Sequence, residues 1–186
     1  MITTTYQAWP DNRGWSFQVT RILGIIDFGG SDFTEIHEVV QRIIPNDYDS
    51  WREEWYRMGK LVETWAKEAE DKGNWISARN GYQRACNYYR LSQFYISGKD
   101  PRRVLILKKM HEVFEKAAKY FSNPIEKVYV KYEGTKLQGY FIPAVNKKKE
   151  KAPTMIYVNG ADSLSPEVYF TAGKTMSEYG YNFLVY

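Results

Sequence analysis

Side chains able to do chemistry are few in this 186-residue chain, which has two histidines (His37 and His111), one cysteine (Cys86) and no serine in a G-x-S-x-G setting. Ser163 and Ser165 precede an expected helix and have the wrong neighbours for a nucleophile elbow. Both histidines fall inside expected helices and read as structural or solvent-facing. Two histidines without paired spacing on one helix face also make a weak metal site. A lone cysteine excludes an internal disulfide and a cysteine-based zinc site. Glu53, Glu54, Asp27 and Asp47 could be combined into an acid pair, but nothing in their spacing asks for it, and they read as caps and surface. What remains is a backbone feature, the loop Asn159-Gly160-Ala161-Asp162-Ser163 between an apolar strand and a helix start. Gly160 and Ala161 are small enough for a ligand to come close to the main chain. Asn-Gly is also an ordinary turn sequence, so a plain turn is the competing reading.

The elements that must position this loop come in two groups. The first 30 residues read as irregular, with a short apolar stretch near Phe17 to Ile26, broken by Gly29-Gly30. Asp32 three residues before Glu35 is a capping-box arrangement, and a helix should follow to about Ile44. Ser50 and Glu53 form a second such box, with Ser50 as N-cap. The helix it opens has Trp51, Trp55, Met58, Val62, Trp65 and Ala69 on one face. Gly73 should stop it. The next helix is expected from Trp75 to Ile96, with Ala78, Tyr82, Ala85, Tyr89 and Ser92 in one stripe. Asp100-Pro101 then starts a third, with Val104, Leu107, Met110, Phe114, Ala117 and Phe121 as its apolar face.

After Pro124 the apolar period shortens from about 3.6 to about 2. Lys127 to Tyr132 and Leu137 to Ile142 read as a hairpin with a turn at Glu133-Gly134-Thr135-Lys136. Thr154 to Val158 is nearly all apolar, as expected for a strand buried on both faces. A helix from Ser165-Pro166 to Gly180 and a strand from Tyr181 to Tyr186 follow. Strand, helix and strand at this spacing favour a parallel pair with a right-handed crossover. The expected class is therefore α/β: a helical region over 1–122, then a hairpin and a parallel βαβ unit over 125–186.

Composition narrows the function classes. A net charge of +4 is mild, and the run Lys147, Lys148, Lys149 and Lys151 accounts for much of it. The run reads as a solvated loop and not as a nucleic-acid patch. No apolar run approaches the ~18 residues of a membrane helix, and the N-terminus lacks the pattern of a secretory signal. With a lone cysteine, this leads to the expectation of a cytoplasmic protein without a membrane or nucleic-acid partner. Sixteen tyrosines and six tryptophans suggest a pocket or interface with aromatic walls.

Several segments resemble one α/β-hydrolase family, that of 2,6-dihydroxypseudooxynicotine hydrolase and the fungal hydrolases that shorten polyketide chains. Phe17-Gln18, Arg21 and Gly29-Gly30-Ser31-Asp32 resemble its opening motif. Trp51 to Trp55, Ala78, Tyr82, Arg84-Ala85 and Tyr88-Tyr89-Arg90 resemble its helical region. Glu133-Gly134-Thr135-x-Leu137-x-Gly139-Tyr140 resembles its hairpin, and Asn159 to Ser163 its oxyanion loop. The resemblance covers most of the chain, and its weight lies in the order and spacing of these motifs.

The resemblance implies a serine nucleophile, a histidine base and an orienting acid, with an oxyanion hole of backbone N–H groups. It places the backbone donors at Ala161 and Asp162 and the substrate against Gly160. Trp51, Trp55, Tyr82 and Tyr89 are candidates to line the pocket, against the alternative that they pack helix on helix. The bond cleaved would be a C–C bond beside a ketone, or an ester, in an aromatic or polyketide-like small molecule. No cofactor is implied, and a homodimer is a possible partner state. The family's sheet begins in strand order 1-2-4-3, and the nucleophile elbow is expected beyond Tyr186. The chain thus reads as the front part of such an enzyme, without its triad and with a bare, apolar edge on its third strand. Two other readings compete. Gly73-Asn74-Trp75-x-x-Ala78-x-x-x-Tyr82-x-x-Ala85 resembles one tetratricopeptide unit of a protein-interaction module. A catalytically dead, ligand-binding hydrolase relative is the other.

Overall fold

The computed structural model describes residues 6–145 and 151–186. Lys147, Lys148 and Lys149 of the lysine run lie outside the described residues. The chain forms two compact units that divide between Phe114 and Glu115.

The first unit is helical. Its opening segment is not irregular: α1 (Arg13–Leu23) is a full helix, capped by the Asn12 side chain, which accepts from the Trp15 N–H. Trp15, Val19 and Ile22 recur four and three residues apart and are buried, which is what holds the helix. Helix α2 (Phe33–Arg42) begins as expected, with the Asp32 side chain accepting from the Thr34 and Glu35 N–H groups. The reciprocal half of the box takes another form. The Asp32 N–H donates to the Tyr88 hydroxyl (3.0 Å), and that hydroxyl donates to Glu35 Oε2 (2.6 Å). Tyr88 is thus inserted between cap and acid, and Arg84 closes on the same carboxylate at 2.9 Å.

Helix α3 (Tyr48–Asp71) corrects two expectations. Its N-cap is Asp47, which accepts from the Asp49 and Ser50 N–H groups. Ser50 instead accepts from the Ile44 N–H at 2.9 Å and ties the preceding turn to the helix. The inward position near its end is Ala66, while Trp65 is exposed. The reason lies in helix α4 (Trp75–Ser92), which packs antiparallel against α3. A Cβ on Gly81 would stand 2.8 Å from the Ala66 Cβ, so no indole fits there. Helix α4 is buried over most of its circumference and ends at Ser92, with hydrogen-bonded turns continuing to Ile96. Helix α5 (Pro101–Ala118) starts on the Asp100 cap. Its inward stripe is Ile106, Met110, Val113, Phe114 and Ala117, whereas Val104 in its first turn faces solvent.

The second unit carries a four-stranded sheet. Strands β1 (Glu126–Tyr132) and β2 (Thr135–Ile142) form the expected hairpin, but its loop is only Glu133-Gly134. Both have positive φ, 42° and 78°, the mirror-image turn that suits a two-residue hairpin and for which glycine is suited. Strand β3 (Thr154–Tyr157) runs parallel to β4 (Asn182–Val185), and β4 runs antiparallel to β2. The order is β1-β2-β4-β3, the 1-2-4-3 of the sequence reading. A helical segment connects β3 to β4: α6 (Ser165–Val168), a π turn (Tyr169–Gly173) and α7 (Lys174–Glu178).

Register separates the two sheet faces. Tyr140, Ile142, Phe183 and Val185 lie on one face and are buried. Val130, Tyr132, Leu137 and Ile156 lie on the other and are exposed, with Phe141 and Leu184 half-buried between them. Strand β3 is therefore not buried on both faces. Among the described residues it is one of the two sheet edges, paired on one side only, and Ile156 and Val158 are 62% and 69% exposed.

Two outcomes follow from this packing. Tyr88→Phe removes one hydroxyl that serves both the Asp32 N–H and the Glu35 carboxylate. It should lower stability by about 1–3 kcal/mol, read from the urea midpoint at unchanged m-value. An apolar sheet face beside a bare strand edge recruits other chains. Sedimentation of the 186-residue chain should show association, and a single monomer boundary at modest concentration would contradict that.

Candidate functional site

The loop singled out by the sequence leaves the carboxyl end of β3, next to the carboxyl end of the parallel strand β4. In α/β sheets ligands bind in the crevice outside these strand ends. The Ser163 N–H donates to the Gly160 carbonyl at 3.2 Å, which closes a four-residue turn with Ala161 and Asp162 at its centre. Such a turn spends its first carbonyl and last N–H on itself and does not draw on the N–H of its second residue, here Ala161. Ala161 and Asp162 are both exposed, and among the described residues nothing accepts from the Ala161 N–H. A Cβ on Gly160 would meet no atom within 4 Å, so the main chain is open to approach there.

Side chains behind the turn connect it to the following helix. The α6 N-cap residue, Leu164, offers no side-chain acceptor. The Ser163 hydroxyl lies 3.4 Å from Glu167 Oε2, and Asn159 Nδ2 lies 3.5 Å from the Ser165 hydroxyl. Asn159 Oδ1 is buried without a partner. Glu167 is 6% exposed. Sequence reasoning passed over Glu167, although an acid in the first turn after Ser165-Pro166 is a readable helix-start signal.

The four aromatic candidates lie in the helical unit, and their side chains are engaged there. Trp51 donates its Nε1–H to the Leu91 carbonyl at 2.8 Å and packs against Trp15 and Trp55. Trp55 stacks on Tyr88. Tyr82 donates to Glu70 at 2.8 Å, and Tyr89 to Glu63 at 2.9 Å, where Lys109 also arrives at 2.7 Å. Burial, with Glu63 beside it, pushes the Tyr89 phenol well above its ordinary range; burial and then Glu35 do the same to Tyr88. These phenols are hydrogen-bond donors at any physiological pH. All four candidates are almost wholly buried.

The remaining sequence candidates belong to the first unit. His37 is on the exposed side of α2, stacked on Phe33, and His111 is within α5. Asp47 is a cap, and Glu54 pairs with Arg57. Among the described residues no group of three or more His, Cys, Asp and Glu is placed to hold a metal. Among the described residues no helix is long and apolar enough to cross a membrane.

Comparison with known proteins bears on this arrangement. No family model matches the chain. Alpha/beta hydrolase gkaG of Penicillium citrinum is 35% identical over 170 residues, 90% of this chain and 40% of the relative. Alpha/beta hydrolase xenA of Xenoacremonium sinensis is 33% identical over 173 residues, 91% of this chain and 41% of the relative. The chain is similar in sequence to these α/β-hydrolases over about nine-tenths of its own length. It spans about two-fifths of the length of the curated relatives it matches. The solved structure of 2,6-dihydroxy-pseudo-oxynicotine hydrolase superposes with a TM-score of 0.69 at 20% identity, covering 87% of this chain and 44% of that one. At that identity the likeness is one of fold, and it agrees with the helices, hairpin and parallel pair described above.

The open surroundings of Gly160 carry a simple expectation. Gly160→Ala should change stability by less than about 0.5 kcal/mol, as for a surface position without special contacts. A thermal midpoint lowered by many degrees would mean that this turn is packed, not open.

Proposed function

We propose that this chain supplies the helical region and the oxyanion loop of a serine α/β-hydrolase. The nucleophile, base and acid lie outside residues 1–186. The substrate is a small molecule with a reactive carbonyl, an ester or a ketone beside a cleavable C–C bond, on an aromatic or polyketide-like skeleton. The observation that carries the reading is the turn at the carboxyl end of β3, with exposed Ala161 and Asp162 at its centre. The names of the relatives support hydrolysis, and the name of the structural neighbour supports a substrate of its type.

The chemistry needs only the main chain of this loop. When a nucleophile adds to a carbonyl, negative charge collects on the oxygen. An N–H held toward that oxygen before the reaction stabilises the charge without reorganising. The Ala161 N–H is the first donor and Asp162 is next to it. Gly160 leaves room for the substrate carbonyl. Trp51, Trp55, Tyr82 and Tyr89 enter as the buried frame of the helical unit. A substrate in contact with them would have to open that packing.

Ala161 is the second residue of its turn, the position where proline is best tolerated. Ala161→Pro therefore deletes the N–H and keeps the turn. In the complete gene product, assayed on an aryl acyl ester, kcat should fall by about 10²–10³-fold with KM little changed. Unchanged turnover in that variant would overturn the role assigned to Ala161. A fluorophosphonate probe should label the complete product and leave the 186-residue chain unlabelled.

A further inference from the structure

We infer that Glu167 is a positioning residue for the 160–163 turn, acting through the Ser163 hydroxyl; its bearing on turnover rests on the function proposed above. The argument starts from a helix that lacks the usual cap. Leu164 occupies the N-cap position of α6 and offers no side-chain acceptor. In a capping box the residue at the third helical position reaches back to the cap. Here that residue is Glu167, and its carboxylate stands 3.4 Å from the hydroxyl of Ser163, one residue beyond the cap. The effect is to fasten the loop, and not the helix end, to α6.

Ser163 is also the residue whose N–H closes the turn on the Gly160 carbonyl. One residue thus holds both the closing bond of the turn and the tie to the helix. Glu167 is 6% exposed, whereas Ala161 and Asp162 are exposed. A carboxylate that has given up most of its water gains from each donor that reaches it. The anchor is therefore fixed from inside and the turn is presented outside, which is the arrangement needed to aim a main-chain donor. Asn159 approaches Ser165 on the other side of the turn, so the loop is held at both ends.

Amide hydrogen exchange on the 186-residue chain tests this without reference to catalysis. The Ser163 amide should exchange slowly in the parent chain. Ser163→Ala and Glu167→Ala should each speed that exchange by at least about tenfold, while the amides of Phe183 to Val185 in β4 keep their protection. Glu167→Gln retains a side-chain oxygen that can accept from Ser163 and should retain the protection. If Glu167→Ala does not fold, Ser163→Ala, which leaves the buried carboxylate in place, decides alone. Unchanged Ser163 exchange in Ser163→Ala overturns the inference. In the complete gene product Ser163→Ala should lower kcat with KM within about twofold, the pattern of a lost transition-state interaction. Faster exchange with unaltered kcat would uphold the tie and count against the catalytic role of the loop, so the two readings fail separately.

Discussion

The helical unit depends on one constraint: α4 is buried on most sides although it carries Arg84, Asn87, Tyr88 and Arg90. Buried polar groups are costly unless they are paired. The segments around α4 supply partners to Arg84, to the Asn87 amide nitrogen and to Tyr88. Asn87 donates to the Gly30 carbonyl, Tyr88 bridges Asp32 and Glu35, and Arg84 closes on Glu35. The Ser31 hydroxyl ties the same segment back to the end of α1. The Gly-Gly-Ser-Asp stretch is thus a clasp that secures α1 and α2 to α4. Its sequence is explained by hydrogen-bond supply, with no catalytic duty required. The aromatic cluster follows the same logic, since Trp51 fills space and satisfies a carbonyl near the end of α4 in one contact.

The sheet unit is built on an unequal pair of faces. One face buries Tyr140, Ile142, Phe183 and Val185. The other has the same apolar character in Val130, Tyr132, Leu137, Phe141, Leu184 and Ile156, but stays open. Parallel strands are usually found with both faces covered. This asymmetry and the bare β3 edge agree with a chain that spans two-fifths of its relatives. They also explain why β3 reads as a buried strand in the sequence. Its residues suit a doubly covered position, yet all four, Thr154 to Tyr157, are exposed.

Much of the fold was legible because its signals are local. Gly73, Asp100-Pro101, the switch of period after Pro124 and the Ser165-Pro166 start all mark element ends through backbone chemistry. The errors were of a different kind. Helix α1 was passed over because its apolar residues are interleaved with polar ones and its cap, Asn12, stands apart from any capping box. Ser50 reads as a cap because Glu53 follows three residues later, and only the geometry gives that place to Asp47. Trp65 reads as inward because its spacing from Val62 and Ala69 continues the apolar face, yet the distance between α3 and α4 at Gly81 demands a small residue. Only the place of Trp65 turns on a tertiary contact that no window of sequence contains. The candidate loop was legible by type, but its anchoring was not, since Glu167 becomes meaningful only once Leu164 is seen to be the cap.

A main-chain site also changes what counts as a functional residue. If Ala161 acts through its N–H, its methyl group is incidental, and substitution by most other residues would keep the donor. An alanine scan would pass over the position entirely. The side chains such a scan would detect, Trp51, Trp55, Tyr82 and Tyr88, matter through packing and hydrogen bonds inside the helical unit. Loss of function at those positions would therefore report loss of fold. The chemically informative changes act on the backbone: removal of an N–H by proline where the turn accepts it, or release of the tie that holds the turn. The information in this loop lies in its conformation, so a reading from residue types alone stops at the level of a small-residue turn after a strand.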